Sequence, residues 1–333
     1  MFNKITCFAV ALLCYSASVN SAELDQAAVD TFIDELVAED GFNRAELSRV
    51  FTQAKRSERI LKAMTRPAEK TKPWYEYQKH FLTDARINGG IAFWDVNSET
   101  LTKATRVYGV PAEIIVAIIG VETAYGRITG GDQVVNALAT LAFHYPKANA
   151  KRMAFFRAQL RHMFLMSREQ NIDPLTLTGS YAGAMGIPQF MPESYRKFAV
   201  DFNDDGARNI WKDRSDAIGS VANYLKSHGW NRGQSIVVPA STSNSNVDDL
   251  ITKSVKPHRR ISEFARHGVT VTDPIADELA ALFSLEGEIF PEYWLAFDNF
   301  YAIMKYNPRT KYAMAVVKLA EAIRNARLAQ HVS

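Results

Sequence analysis

The stretch Pro111-Ala-Glu-Ile-Ile-Val-Ala-Ile-Ile-Gly-Val-Glu-Thr-Ala-Tyr-Gly126 decides the fold of this chain. From Ile114 to Val121 it contains no polar side chain, and a helix that is apolar on every side is a buried one. Pro111 occupies the position expected of a first helical residue, Glu113 follows in the first turn, and Gly126 ends the helix. We therefore predict a buried helix at the centre of a mainly α-helical protein.

Amphipathic helices are predicted further along the chain. Apolar residues keep helical spacing in three stretches, from 156 to 167, from 218 to 225 and from 312 to 323. Each stripe, including Tyr312 in the last one, is most simply part of the core. The predicted fold class is mainly α (α+β).

The helical body has one predicted interruption. The stretch Ile236-Val-Val-Pro239 is strand-like. Near the N-terminus, Asn43 and Glu46 form a capping pair before a helix that runs through Leu61. The predicted regions are a leader over 1–22, an N-terminal helical domain over 23–107, a helical core over 108–231 and 291–330, and a small β-containing insertion over 232–290.

The composition excludes several classes of protein. Of the 333 residues, 39 are Lys or Arg and 36 are Asp or Glu, which gives a formal net charge of +3. That charge is too small to indicate a nucleic-acid partner, and no stripe dense in Lys and Arg with interleaved aromatics occurs. With 47% hydrophobic and 23% charged residues, the chain is neither disordered nor fibrous.

Residues 1–22 are typical of a cleaved export signal. Lys4 precedes an apolar run that ends at Cys14, and small polar residues follow it. The run is too short to span a membrane. We expect cleavage after Ser21 or Ala22 and release of the mature protein into the periplasm.

The two cysteines, Cys7 and Cys14, both lie inside this leader. The mature chain is therefore expected to contain no disulfide, no thiol nucleophile and no cysteine-ligated zinc. A lipoprotein needs a small residue before its acylated cysteine, whereas Leu13 precedes Cys14. We expect a protein that is not lipidated.

Glu122 is the first candidate catalytic residue. It follows the apolar run directly and stands four residues before Gly126. A carboxyl held against an apolar wall is desolvated, which raises its pKa and lets it serve as a general acid near neutral pH. The commoner fate of a glutamate at a helix end is a solvated surface position, so the position of Glu122 alone does not decide its role.

A second stretch, residues 179–195, reads Gly-Ser-Tyr-Ala-Gly-Ala-Met-Gly-Ile-Pro-Gln-Phe-Met-Pro-Glu-Ser-Tyr. Its glycines allow a ligand to approach the backbone, and Tyr181, Phe190 and Tyr195 could stack on sugar faces. Gln189 offers both a donor and an acceptor for hydroxyl or N-acetyl groups. The alternative is a tight turn between two helices.

Together these motifs resemble the lytic murein transglycosylase B family. The match comprises the Gly-Val-Glu-Thr motif around Glu122, the glycine-rich stretch 179–192, the segment from Asp201 to Tyr224, and Tyr306-Asn307 with the following Tyr312-Ala-Met-Ala-Val. It extends from about residue 40 to 325 in one order. The resemblance implies a core similar to goose-type lysozyme, flanked by a helical domain and a small β domain.

The resemblance also implies a reaction. The family cleaves the β-1,4 bond between N-acetylmuramic acid (MurNAc) and N-acetylglucosamine (GlcNAc) in peptidoglycan, and it leaves a 1,6-anhydromuramoyl end without adding water. One glutamate, here Glu122, is implied to act first as acid and then as base. A glycosidase mechanism with two carboxylates would need a second carboxylate at a defined distance from Glu122. Glu193 is a candidate, but its Pro-Glu-Ser context is more typical of a first helical turn.

Further residues match the family's saccharide contacts by position, namely Ser180, Gln189, Tyr224, Tyr306 and Asn307. Asn307 could hydrogen-bond the reacting sugar or orient Glu122. For Tyr224, core packing with an exposed hydroxyl is an equal alternative. Arg152 could meet peptide carboxylates of the substrate, although an exposed arginine needs no such role.

The segment 201–216 begins like an EF-hand calcium loop. Oxygen donors stand at the first, third and fifth positions, glycine stands at the sixth, and the seventh offers a carbonyl; the donors are Asp201, Asn203, Asp205 and Ala207. The second half departs from the pattern, because position 12 is Lys212. In the resembling family the closing acid precedes an Ala-Ile-Gly-Ser helix, which points to Asp216, and Asp213 could compete. A structural Ca²⁺ is predicted, with a solvated turn as the alternative.

No organic cofactor is predicted, because no phosphate-cradling glycine loop and no His-Glu-x-x-His pattern occurs. The expected partners are peptidoglycan glycan strands and other cell-wall enzymes, and the protein is expected to be a monomer. Two other functions stay open at this point. One is a hydrolytic muramidase of the same fold, and the other is a non-catalytic peptidoglycan-binding protein.

Overall fold

A computed structural model describes residues 23–65, 72–243, 247–252, 254–272 and 274–332, so the predicted leader lies outside the described residues. Helices dominate these ranges, as the sequence predicts. They are α1 (Gln26–Asp40), α2 (Arg44–Gln53), α3 (Glu58–Thr65), α4 (Trp74–Tyr77), α5 (Asp84–Val96), α6 (Ser98–Tyr108), α7 (Ala112–Thr123), α8 (Val134–His144), α9 (Ala150–Glu169), α10 (Pro192–Phe198), α11 (Arg214–Ser227), α12 (Ile261–Arg266), α13 (Asp298–Tyr306) and α14 (Thr310–Val332).

Strands form two sheets. The strands are β1 (Asp132–Gln133), β2 (Thr178–Gly179), β3 (Val237–Thr242), β4 (Arg259–Arg260), β5 (Val269–Val271), β6 (Leu279–Leu285) and β7 (Glu292–Ala296). β1 and β2 form a short antiparallel pair, and the others form a five-stranded antiparallel sheet in the order β4-β6-β7-β3-β5. The predicted insertion stops at residue 290, but β7 pairs with both β6 and β3. The sheet therefore extends into the stretch that was assigned to the helical core.

The central helix α7 is buried as predicted. Every residue from Ile114 to Gly120 is almost completely inaccessible to solvent. Pro111 is the residue before the helix and not its first residue, and Glu113 lies in the first turn. Because all faces of α7 are apolar, it needs neighbours on every side, and α5, α6, α11 and α14 pack around it.

The helices within the predicted N-terminal domain over 23–107 pack into two different apolar clusters. Helices α1 to α3 share an apolar cluster with α8 and α9, whereas α5 and α6 belong to the cluster around α7. The reason is that α7 is apolar on all sides. Ile91 and Phe93 of α5 and Leu101 of α6 belong to the apolar cluster that buries it. The division between the two helical clusters therefore falls between α3 and α4.

The helix that begins after Asn43 is shorter than predicted. The Asn43 side chain accepts hydrogen bonds from the backbone of Ala45 and Glu46, which confirms the cap. The helix ends at Gln53 and does not run through Leu61. The backbone amides of Lys55 and Ser57 instead donate to side chains of α8, at 2.8 Å and 3.0 Å, and these bonds replace helical ones.

No single helix in the described ranges is long and apolar enough to cross a membrane. The pair Ser98–Tyr108 and Ala112–Thr123 passes the same length and composition test only when taken together, and it is bent by 113°.

Candidate active site

Glu122 lies in the last turn of the buried helix α7. The helix ends at Thr123, and the next three residues, Ala124, Tyr125 and Gly126, have φ values of 50°, 65° and 83°. Non-glycine residues rarely adopt this left-handed region. The chain therefore turns away abruptly, and Glu122 stands half-buried at the open end of an apolar helix.

Thr123 fastens this helix end to the glycine-rich stretch. Its hydroxyl donates to the carbonyl of Ile187 at 2.9 Å and accepts from the amide of Gly126 at 3.0 Å. Thr123 is itself buried. The catalytic candidate Glu122 thus has a fixed position relative to the loop that contains Gln189.

A tyrosine hydroxyl holds the carboxyl of Glu122. Tyr312, the third residue of α14 and only 3% exposed, donates to Glu122 Oε1 at 2.5 Å. Burial raises the pKa of Glu122 to about 7, although the Tyr312 hydrogen bond opposes this shift because it stabilises the ionised form. Glu122 therefore has a substantial protonated fraction near neutral pH.

The charge of Glu122 also affects two other tyrosines. Burial raises the pKa of Tyr77 to about 12, and the negative charge of Glu122 adds to the shift. The pKa of Tyr306 is raised well above its usual value by the same two causes, and its hydroxyl donates to the carbonyl of Pro188 at 2.6 Å. Both hydroxyl groups are therefore uncharged near neutral pH and offer no charge that competes with Glu122.

The glycine-rich stretch folds into a compact loop. The Ser180 hydroxyl accepts from the amides of Ala182 and Ala184, and Met185 and Phe190 exchange both backbone hydrogen bonds. Gln189, at the turn between them, has a φ of 53°. Its side-chain amide donates to Thr129 O at 3.0 Å and to Gly186 O at 2.8 Å, which leaves its carbonyl oxygen for a ligand.

An open cleft of about 500 Å³ connects these groups. It is lined by Arg59, Glu122, Ile128, Gly130, Gly131, Asp132, Ser180, Tyr181 and Gln189. At Gly130 a side chain is impossible, because a Cβ atom would lie 2.2 Å from the carbonyl oxygen of Gly179. The structure thus brings the predicted residues Glu122, Ser180 and Gln189 to one cleft.

Other predicted contacts are placed differently. Tyr224 is 8% exposed and its hydroxyl donates to Lys305 O at 2.6 Å, so the core-packing alternative describes it, except that its hydroxyl is bonded and not exposed. Arg152 lies in the first turn of α9, where its guanidinium covers the rings of Tyr145 and Phe156, and it is not a residue of the Glu122 cleft. Asn307 directly follows α13.

Two of the three aromatics expected to stack on sugars are buried. Phe190 is 2% exposed and packs on Tyr224 and Tyr306. Tyr195 is completely inaccessible, and its hydroxyl donates to the carbonyl of Arg208. The spacing of aromatic residues in a loop does not distinguish a ring that faces a ligand from one that faces the core. Only Tyr181 reaches the cleft.

The loop over 201–216 is organised by its own acidic side chains. Asp201 accepts from the amides of Asp205 and Gly206, and Asp205 accepts from Ala207. The Asn203 amide donates to Asp205 and to Asp213 Oδ2, the latter at 2.8 Å. In the part of the chain that the structure describes, no group of three or more His, Cys, Asp or Glu forms a metal cage.

Asp213 and Asp216, the two candidates for closing this loop, have different surroundings. Asp216 is fully buried, and its two oxygens accept from the amides of Phe202 and Asn209 at 2.8 Å and 2.7 Å. Burial raises the pKa of Asp216, and the carboxylates of Asp213 and Asp201 add to the shift. Asp213 caps α11 with one oxygen and faces Asn203 with the other. Asp213 is thus the candidate with an oxygen directed at the loop's predicted donors.

Sequence reasoning missed the role of Tyr312 and Tyr77. Tyr312 fits the apolar stripe of α14, and nothing in that spacing distinguishes a core tyrosine from one that donates to a carboxyl. Its inclusion in the motif that follows Tyr306-Asn307 was the available signal. For Tyr77, the aromatic stretch around Trp74 gave no indication that the charge of Glu122, which is distant in sequence, would affect it.

Comparison with known proteins identifies relatives over almost the whole chain. Residues 24–321 match the family model described as the transglycosylase SLT domain. The chain is 42% identical over 307 residues to the membrane-bound lytic murein transglycosylase B of Escherichia coli K12, and the match covers 89% of this chain and 82% of that protein.

Solved structures agree with the fold. The lytic transglycosylase SltB1 from Pseudomonas aeruginosa has a TM-score of 0.85 at 46% identity, covering 90% of this chain and 98% of that one. Escherichia coli Slt35, solved in complex with calcium, has a TM-score of 0.82 at 42% identity, and the match covers 90% of this chain and 93% of that one. SltB3 from Pseudomonas aeruginosa, solved in complex with NAG-NAM-pentapeptide, has a TM-score of 0.78 at 30% identity, and the match covers 90% of this chain and 79% of that one. These neighbours confirm the lysozyme-like helical fold.

Proposed function

The chain belongs to the transglycosylase SLT domain family and is a peptidoglycan lytic transglycosylase, and from this premise we propose how its residues perform the reaction. Glu122 protonates the glycosidic oxygen between MurNAc and GlcNAc as the bond breaks. The resulting carboxylate then removes the proton from the C6 hydroxyl of the same MurNAc, which attacks C1 and forms the 1,6-anhydro ring. One residue acts as acid and as base, and no water is added.

The observation that supports this proposal is the environment of Glu122. A pKa of about 7 lets the group exist in both forms at neutral pH, which suits a residue that gives up a proton and takes one back. Tyr312 donates to the carboxylate and so fixes the oxygen that carries the negative charge between the two steps. We assign Tyr312 as a positioning residue for Glu122.

The C6 hydroxyl has an advantage over water as the attacking group. It is tethered to the reacting ring, and a well-oriented intramolecular nucleophile has an effective concentration of roughly 10⁵ M or above. Bulk water reaches only about 55 M by ordinary density and has no such orientation. Non-hydrolytic cleavage is therefore the expected outcome wherever the sugar is held firmly over Glu122.

The hydrolytic alternative has one candidate residue in its favour. Asp132 lines the same cleft as Glu122 and could in principle activate a water. The guanidinium of Arg59 pairs with this carboxylate, however, and so occupies the group that would have to take the water's proton. We propose that Asp132 and Arg59 close the cleft on the side of α3 and take no part in the chemistry.

Substrate contacts are proposed for the polar residues that line or flank the cleft. Ser180 and Gln189 would meet hydroxyl and N-acetyl groups, since both lie beside Glu122. Asn307 would hydrogen-bond the reacting sugar, and Tyr306 would support it from the loop at Pro188. Tyr224 acts indirectly, by packing on Tyr306 with their ring centroids 4.7 Å apart.

A structural Ca²⁺ is proposed for the loop over 201–216. Asp201, Asn203, Asp205 and the carbonyl of Ala207 would hold it, and Asp213 or Asp216 would close the site. The support is the donor set: hard oxygen ligands, several of them acidic, gathered on one short loop. The bound ion would neutralise their mutual repulsion and stabilise the loop.

We propose that the mature protein works in the periplasm on peptidoglycan strands, after removal of residues 1–22. The cell-wall substrate requires export, and the leader pattern fits it. The Escherichia coli relative is membrane-bound by name, whereas Leu13 before Cys14 argues against lipidation here. Fractionation with mass analysis of the mature N-terminus tests both points, and an acylated Cys14 would overturn the second.

The deciding experiment is digestion of purified sacculi in ¹⁸O-labelled water, followed by mass spectrometry of the soluble muropeptides. We expect products one water lighter than those of a lysozyme, with no label at the muramic end. The Asp132→Asn variant should give the same anhydro products. Label at most new muramic ends, lost in Asp132→Asn, would favour the hydrolytic muramidase.

A further inference from the structure

The turn that follows Glu122 contains a buried tyrosine to which the proposed chemistry gives no role. Tyr125 is 9% exposed and is not among the residues that line the cleft. It has a φ of 65° and follows Ala124, whose φ is 50°. Two consecutive non-glycine residues in the left-handed region are strained, and such strain persists only where the surrounding structure holds it. The contacts that hold Tyr125 therefore also hold the end of α7.

Three glycines leave room for the ring of Tyr125. Gly89 and Gly90 belong to α5, and Gly120 belongs to α7. A Cβ atom at these three positions would lie 2.9 Å, 2.7 Å and 2.7 Å, respectively, from the nearest atom of Tyr125. Gly89 and Gly90 stand in the interior of a helix, where glycine is destabilising relative to alanine. The sequence therefore gives up helix stability in α5 at the place where α5 and α7 form a slot for this ring.

Hydrogen bonds tie the ring to both helices. The Tyr125 hydroxyl donates to the carbonyl of Arg86 at 2.7 Å, and the Arg86 guanidinium donates to the carbonyl of Gly120. That carbonyl also accepts from the amide of Ala124 at 3.1 Å. Burial raises the pKa of Tyr125, so its hydroxyl keeps its proton and stays a donor near neutral pH. The bonds form a closed path from the strained turn through α5 and back to α7.

This path fixes Glu122 from both sides along the chain. Gly120, two residues before it, is bonded to Arg86, and Tyr125, three residues after it, is bonded to the same residue of α5. The Glu122 carboxyl accepts from Tyr312 of α14 at 2.5 Å. A hydrogen bond weakens steeply when its angle departs from the preferred range, so a small rotation at the end of α7 would weaken this one.

We propose that Tyr125 is a positioning residue for Glu122. Its ring fills the slot between α5 and α7, its hydroxyl holds Arg86, and together they maintain the turn that directs the Glu122 carboxyl at Tyr312. Tyr125 lies outside the cleft and acts only through Glu122. This inference rests on the proposed function and adds to it a buried residue on which the rate of proton transfer depends.

The test separates kcat from KM. Tyr125→Phe keeps the ring and removes only the hydroxyl that is bonded to Arg86. We expect kcat on soluble glycan strands to fall about 10-fold with KM unchanged, because the carboxyl is misplaced whereas Ser180 and Gln189 are not. Tyr195→Phe is the matched control. Tyr195 is also buried, and its hydroxyl also donates to a backbone carbonyl, at 2.6 Å, so this variant should keep the wild-type kcat.

A second variant displaces the ring and keeps its hydroxyl. Gly89→Ala places a Cβ atom 2.9 Å from Cε2 of Tyr125, so the ring must shift, and we expect kcat to fall about 10-fold here too. Alanine is a better helix former than glycine, so a weaker α5 would not explain the loss. Asn88→Ala, at the exposed neighbouring position of α5, is the matched control and should keep the wild-type kcat.

A double variant tests the route of the effect. If Tyr125 acts by directing Glu122 at Tyr312, adding Tyr125→Phe to Tyr312→Phe should lower kcat by less than about 2-fold further. A wild-type kcat in Tyr125→Phe or in Gly89→Ala would overturn the inference, and so would a further loss of about 10-fold in the Tyr312→Phe background. Failure of the proposed function would appear differently, as an absence of anhydro products in the wild type.

Discussion

Two regions of this molecule gather carboxylic acids and use them in opposite ways. At the end of α7 a single carboxyl, Glu122, is held against apolar residues and tyrosine hydroxyls, and burial raises its pKa to about 7. In the loop over 201–216, several acids stand together, and backbone amides satisfy most of their oxygens. The first arrangement favours the protonated acid, whereas the second brings several carboxylates together on one short loop.

The difference shows that surroundings, more than residue type, set the role of a carboxyl. Isolation from water gives Glu122 a proton to transfer. In the proposed calcium site, the proximity of like charges would give the loop an affinity for a counter-ion. The two regions are nonetheless joined, because the amide of Ile187 donates to Ile210 O at 2.8 Å while Ile187 O accepts from Thr123.

The largest effect is expected from Glu122→Gln. The amide keeps the shape of the side chain but cannot transfer a proton, so peptidoglycan cleavage should fall on the order of 10²-fold or more. Turnover of sacculi, measured by release of soluble muropeptides, checks this. Glu193→Gln is the matched control, since its carboxylate pairs with Lys197 and Gln159, and it should retain activity. Near-wild-type turnover by Glu122→Gln would refute the assignment.

Tyr312→Phe should reduce kcat and move the pH profile. In the wild type, kcat/KM should fall as pH rises through about 7, because Glu122 then loses its proton. The Tyr312 hydroxyl lowers the pKa of Glu122, so its removal raises that pKa and shifts the alkaline limb to higher pH. Tyr195→Phe removes a hydroxyl that is bonded to Arg208 O, and it should leave the limb in place. An alkaline limb that does not move in Tyr312→Phe contradicts the positioning role.

The burial that raises the pKa of Glu122 should also lower the stability of the wild type. The pKa of Glu122 is about 7 in the folded state against 4.5 unfolded, so the native state binds the proton more tightly and loses stability as pH rises from about 4.5 to 7. The unfolding free energy of Glu122→Gln, taken relative to that of the wild type, should therefore be higher at pH 8 than at pH 4 by on the order of 2 kcal/mol. Chemical denaturation at both pH values measures this. A difference that is independent of pH would mean that the carboxyl is not desolvated.

The smallest effect is expected in the acidic loop. Millimolar Ca²⁺ should raise the Tm of the wild type by a few degrees, because the ion binds only the folded loop. Asp201→Ala should abolish this gain and have little effect on turnover, whereas Asp249→Ala, at an exposed acid outside the loop, should keep it. A wild type without any calcium-dependent shift would exclude the site. Comparing Asp213→Asn with Asp216→Asn then identifies the closing residue, since only the true ligand should weaken the calcium response.

Prediction from sequence succeeded where a pattern depends on local chemistry. The buried helix α7, the cap at Asn43 and the strand near 237 followed from composition and spacing, and the family resemblance was confirmed. Prediction from sequence failed where the packing of distant elements determines the structure. The predicted boundary at 107 separates α6 from α7, yet α5 and α6 both pack against α7, and a sequence pattern does not show which helices will surround another.

The sequence by itself determined that this chain folds around one fully apolar helix and that a lone glutamate ends it, because apolar periodicity and helix signals are local properties. Only the tertiary structure decided which groups surround that glutamate. Tyr312 is 190 residues away from it along the chain, and Tyr77 lies on a different helix. The pKa of Glu122 depends on burial and on hydrogen bonds made across that distance, and these exist only once α7, α14 and the glycine-rich loop have packed together.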